Sequence, residues 1–179
     1  MNSSNINKQL EALKDKVIKV DRGGPNSRVG KLVAVHDDYI TLLTNNDGVL
    51  YYNMDHIKSV TENVKDGLDG DDVDEIEEES RNVDCNTPHD FRSFLSTLKY
   101  KWVQINRGGP AKVDGVVNDI TDEVITLVHD QEVIRVVVFH INNVSVGNKP
   151  KKDKDDGKKD DKKDDNKKDD HDKKEKQDD

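Results

Sequence analysis

A single cysteine, Cys85, is all the thiol chemistry that 179 residues hold, so an intrachain disulfide framework is excluded and only an intermolecular bridge through Cys85 stays open. Aromatic residues are nearly as scarce: three Phe, four Tyr and one Trp. With 31% hydrophobic against 37% charged residues and a mean hydropathy of −0.96, one large buried core is excluded as well. No apolar run approaches the roughly 18 residues of a membrane-spanning helix. Met1-Asn2-Ser3-Ser4 leads into a polar amphipathic stretch rather than an apolar secretory core, so the chain is expected to be made and kept soluble, with no membrane partner.

What is present is unevenly spread. The net charge of −9 divides into +1 over residues 1–60, −10 over 61–90, and zero over both 91–148 and 149–179. Apolar residues gather in the first and third of these segments. Two small folded units are therefore expected at 1–62 and 88–148, separated by an acidic disordered linker at 63–87 and followed by a disordered Lys/Asp polyampholyte tail at 149–179. Folded units without a basic excess do not provide the footprint that nucleic acid requires.

The two units repeat one another. Val20-Asp21-Arg22-Gly23-Gly24-Pro25 is echoed by Ile105-Asn106-Arg107-Gly108-Gly109-Pro110, an offset of 85 that also pairs Gly30 with Gly115. Tyr39-Ile40-Thr41-Leu42 aligns with Val124-Ile125-Thr126-Leu127. After one residue is lost from a turn, His56-Ile57 and Val60 align with His140-Ile141 and Val144. A shared offset over so many positions points to duplication of one unit.

Period-two alternation and β-branched residues between Gly, Pro, Asn and Asp clusters predict five strands per unit. In the first they run from Val17 to Val20, Gly30 to His36, Tyr39 to Thr44, Val49 to Met54 and Ile57 to Val60. In the second they run from Trp102 to Ile105, Gly115 to Ile120, Val124 to His129, Val133 to Phe139 and Ile141 to Val146. Val136-Val137-Val138-Phe139 is apolar on both faces, which predicts a cover from the other unit or a neighbouring molecule. Helical spacing of Ile6, Leu10 and Leu13, and of Phe91, Leu95 and Leu98, places a short helix before each first strand, the second N-capped at Thr87-Pro88. The fold class expected is mostly β, two tandem small five-stranded Sm-like barrels, each with an N-terminal helix.

The phrase Lys101 to Pro110, the duplicated Arg-Gly-Gly-Pro and the later Phe139-His140-Ile141 resemble the spore coat protein B family of Bacillus-type spore formers, over roughly Leu13 to Gly147. The resemblance implies a structural component of the outer spore coat or exosporium, made in the mother cell, with other spore coat proteins as partners. One departure stands out: better-known members look Ser/Lys/Arg-rich at the C-terminus, whereas this tail is built from units such as Lys158-Lys159-Asp160-Asp161 with no serine after Ser145. A phosphorylated serine tail does not carry over.

Gly23-Gly24-Pro25 and Gly108-Gly109-Pro110 read as tight turns, two residues tolerant of positive φ followed by one with φ fixed. Arg22 and Arg107 beside them are candidate docking groups whose guanidinium forks suit carboxylates. His56 and His140 occupy equivalent positions through duplication and lack the neighbours of a zinc site. The acidic stretch Asp69-Gly70-Asp71-Asp72-Val73-Asp74-Glu75 does not fit a calcium loop, since ligand positions fall on Val or Lys. No cofactor is implied and no catalytic motif appears, so a non-enzyme is expected, assembling as a homo-oligomer through its barrels. A surface protein binding silica or mineral ions through its Lys/Asp tail is the alternative, and an Sm-type RNA-binding module the weaker one.

Overall fold

Strict alternation sets the first strand of each half. In β1 (Val17–Val20) Ile18 and Val20 are buried, and in β6 (Trp102–Ile105) so are Val103 and Ile105, with Lys19 and Gln104 half-buried between them. A computed structural model describes residues 3–62 and 87–147. The first half adds α1 (Ser3–Glu11), β2 (Arg28–Val35), β3 (Tyr39–Thr44), β4 (Gly48–Asn53) and β5 (Val60–Glu62). The second adds α2 (Phe91–Ser96), β7 (Val113–Ile120), β8 (Val124–His129), β9 (Glu132–Val137) and β10 (Asn143–Val146).

The two halves agree down to single hydrogen bonds. Asp15 and Tyr100, 85 apart, both sit at φ 66°, and Asp21 and Asn106 follow at 53° and 55°. Asp15 N donates to Leu32 O at 2.8 Å, as Tyr100 N donates to Val117 O at 2.8 Å. Bulges fall between Leu32 and Ala34 and between Val117 and Asp119, where an extra residue bends the long strand. A Cβ at Gly30 would lie 2.3 Å from Leu43 O, and one at Gly115 2.7 Å from Val128 O. Glycine at both positions lets the bent strand close on its neighbour.

Strand order is where the structure refines the expectation. All ten strands form one open antiparallel sheet, β5-β1-β2-β3-β4-β10-β6-β7-β8-β9. Each half orders its strands identically, the fifth beside the first, yet β4 does not close on β5 of its own half. It pairs instead with β10 of the other. One core cluster holds Leu10, Ile18, Val20, Leu32, Ile40, Leu42, Leu50 and Tyr52. A second combines Phe91, Phe94, Leu95, Leu98 and the inward residues of β6, β7, β8 and β10 with Tyr39 and Tyr51 from the first half.

Several local expectations need correction. The N-cap of α2 is Asp90, whose carboxylate accepts from Ser93 N at 2.8 Å, not Thr87-Pro88. Thr87 and Pro88 instead meet the Tyr39 hydroxyl. Met54–His56 and Val138–His140 are single 3₁₀ turns, so β4 and β9 end earlier, and β5 and β10 begin later, than the apolar pattern predicts. Val133, Val137 and Phe139 are exposed, and from the other half only the His56 ring is seen to meet them, edge-on to Phe139 at 5.7 Å, among the described residues. The strand buried at every position is β3. Cys85, the linker from 63 to 86 and the tail from 148 onward lie outside the described residues.

Candidate functional site

The junction of the two halves gathers the residues that the sequence singles out. Its backbone is the β4–β10 ladder, with Asn143 opposite Tyr52, Val144 opposite Tyr51 and Ser145 opposite Leu50, extended by Asn53 N donating to Asn142 O at 3.0 Å. Side chains close over it. Tyr51 and Tyr39 stand on one face of β4 and β3, and helix α2 lays Phe94 against them, with ring centroids 4.1 and 5.4 Å away. Phe91 lies 5.8 Å from Tyr39. Each such ring pair is worth about 1 kcal/mol beyond the area it buries. The Tyr39 hydroxyl donates to Pro88 O and lies 2.9 Å from Thr87 Oγ1, tying the entry to α2 onto the first half.

Charge closes the opposite end. Asp47, in the turn between β3 and β4, accepts from Arg28 Nε on one carboxylate oxygen and pairs at 2.9 Å with Arg107 Nε on the other. Arg107 Nη1 also donates to Asp47 O at 3.2 Å. The three side chains are largely buried, at 15%, 24% and 28% exposure, where charge-assisted bonds are stronger than on an open surface. Arg28 Nη1 donates to Pro25 O at 2.9 Å. A Cβ at Gly108, which has φ 100°, would fall 2.2 Å from that same oxygen. The two Arg-Gly-Gly-Pro turns therefore touch, and only a residue without a side chain fits where they do.

The copies of the motif are not equivalent. Positive φ falls on Gly24 in the first turn, at 88°, but on Gly108 in the second, one position earlier in the alignment. Arg107 is engaged by Asp47, whereas Arg22 is exposed and makes no ion pair among the described residues; Gly23, Gly24 and Pro25 are exposed with it, as is Pro110. Gly109 is half-buried. His56 Nε2 donates to Phe139 O at 2.6 Å across the junction, whereas His140 O accepts from Asn106 Nδ2 at 3.0 Å within its own half, so the two equivalent positions make ordinary hydrogen bonds in different places. Sequence reasoning passed over Arg28, Asp47, Tyr39 and Tyr51. The available signal was Tyr39-Ile40-Thr41-Leu42, apolar on both faces of a strand.

Beside the junction, burial pushes the Asp38 carboxyl up, partly offset by the bond it accepts from Phe91 N. Burial holds the His36 imidazole below its usual range, stacked 4.0 Å from the Tyr39 ring. Among the described residues no three His, Cys, Asp or Glu side chains group as metal ligands, and no helix is long and apolar enough to cross a membrane. The arrangement joins the two halves into one sheet.

Over 141 residues, 79% of the chain, 40% of positions are identical to spore coat protein B of Bacillus subtilis (strain 168). The chain is a relative of spore coat protein B. It spans 35% of that protein's length. The family described as the YwrJ third domain matches residues 5–60, from α1 to the first residue of β5. No solved structure matches the chain significantly.

Proposed function

We propose that the protein is a non-enzymatic structural component of the endospore outer coat or exosporium, assembling with other coat proteins and with itself. In this reading each half is a small Sm-like barrel left open, the two arising by duplication and fused through the β4–β10 ladder. The kinship to spore coat protein B over most of the chain carries the reading. The junction supports it: its side chains are spent on strand pairing, ring stacking and ion pairs that join surfaces. Unpaired edges of such a sheet are natural docking points for further strands. The acidic linker and the Lys/Asp tail would stay exposed and hydrated around it.

A fluorescent fusion of the full chain in a sporulating Bacillus host tests the role. A peripheral ring on the forespore that co-extracts with the coat is the expected result; diffuse mother-cell fluorescence overturns it. The same strain without residues 149–179 separates the second reading, since a coat component keeps its ring, whereas silica or cation uptake lost with the tail while the ring persists assigns mineral binding to the Lys/Asp repeats.

A further inference from the structure

The sheet ends on two edges that match. Among the described residues nothing pairs with the outer edge of β5 or of β9. These are the counterparts of β10 and β4, the two strands that pair at the internal junction. β5 aligns with β10, because Val60 corresponds to Val144, and β9 aligns with β4, because Arg135 corresponds to Tyr51. We propose that β9 of one molecule receives β5 of a second copy, repeating between chains the ladder that joins β4 to β10 within one. This rests on the structural role proposed above and names its contact.

The register follows from the internal junction. Asn143, Val144 and Ser145 stand opposite Tyr52, Tyr51 and Leu50, which places Ser59, Val60 and Thr61 of the second copy opposite Val136, Arg135 and Ile134. The backbone groups point the right way. Asp21 N donates to Ser59 O, so residues 59 and 61 face β1, and alternation turns Val60 to the open side. Val138 N donates to Glu123 O, which leaves Val137 and Arg135 facing outward on β9. Where Asn53 N meets Asn142 O inside the chain, Val137 N meets Lys58 O between chains.

The flanking groups are complementary too. Arg22 of the second copy takes the place of Arg107, and it reaches a β8–β9 turn in which Asp130 and Glu132 flank Gln131 as Asp47 serves the turn before β4. Exposed Val133, Val137 and Phe139 line the same edge, and exposed Ile6 lies on α1 where Phe91 lies on α2. The contact is a weaker version of its template. Gln9 replaces Phe94, and Val124 and Arg135 replace Tyr39 and Tyr51, so the four-ring cluster is missing. Association is therefore reversible and rises with concentration. Because the two edges differ, the interface is heterologous, and it builds rings or open polymers rather than closed two-fold pairs.

The test is the light-scattering mass of the full chain across a concentration series, with Val60→Pro and Arg135→Pro, each of which removes one outward N–H and none used by β1 or β8. The wild type is expected to grow in mass with concentration and each variant alone to stay at one chain. An equimolar mixture of the two variants stops at two chains, since each supplies the edge the other lacks. A wild type that stays at one chain throughout overturns the proposal, as does a Val60→Pro chain that still associates alone, which would mean pairing of β9 with β9. Should a proline unfold the chain, Thr61→Cys with Ile134→Cys in a Cys85→Ser background is expected to give a cross-linked ladder on oxidation, and a folded chain that gives none overturns it equally. Spore location is read separately, so a monomeric protein that still rings the forespore refutes this contact while leaving the coat role in place.

Discussion

Gly108 is the residue on which the junction turns. Its φ of 100° lies where L side chains are strained, and Pro25 O and the Arg28 guanidinium occupy the space a methyl group would need. Gly23, two residues before Pro25, has no positive φ, and a methyl group there would meet nothing within 4 Å. Gly108→Ala is therefore expected to lose about 2 to 4 kcal/mol, adding backbone strain to overpacking, while Gly23→Ala stays within about 0.5 kcal/mol of wild type. Urea unfolding of the two variants side by side measures the contrast; equal losses would show that the turns do not meet as described. Both glycines are identical letters in a duplicated motif, so the sequence holds no sign of which one is crowded. That information exists only once the other half is in place.

At the scale of elements, strands were legible where turn residues bracket the apolar run on both sides. β1, β3, β6 and β8 have the bounds that alternation predicts, because each begins and ends at a turn residue with a clear conformational reason. The errors fall where a strand gives way to a 3₁₀ turn: Val138 and Phe139 continue the apolar run of β9 but belong to the turn that Ile141 N closes by donating to Val138 O at 3.0 Å. The role of α2 was illegible for a different reason. Its Phe91 and Phe94 have helical spacing toward their own half, yet they also complete a cluster with Tyr39 and Tyr51 that only the tertiary arrangement brings near. Residues 87–147 expressed alone lack both tyrosines and the β4 partner of β10. They are expected to bind a hydrophobic dye and lose side-chain dispersion in NMR spectra, whereas residues 1–147 show neither change; a well-dispersed isolated second half would contradict the shared core.

At the scale of the molecule, two units were expected and one continuous sheet is found. The strand content and the internal offset were plain in the residues; the crossing of strands between halves was not, because an edge carries no label for its partner. With backbone ladder, ring cluster and the Asp47–Arg107 ion pair all spanning the junction, the described halves are expected to unfold as one. Calorimetry of the full chain should give equal van't Hoff and calorimetric enthalpies in a single transition. Two resolved transitions would mean that the junction is too weak to couple the halves.

The unequal faces of the β3–β4 and β8–β9 hairpins also carry a genetic consequence. Tyr39 and Tyr51 are matched to the aromatic helix that follows them, while Val124 and Arg135 are followed by no such helix among the described residues. The two segments are not interchangeable: a gene encoding them in reverse order would leave Phe91 and Phe94 without their two tyrosines and set Arg135 under the helix of the wrong neighbour. Two segments so alike in sequence differ at a few face residues, and that difference gives the pair an obligatory direction of reading.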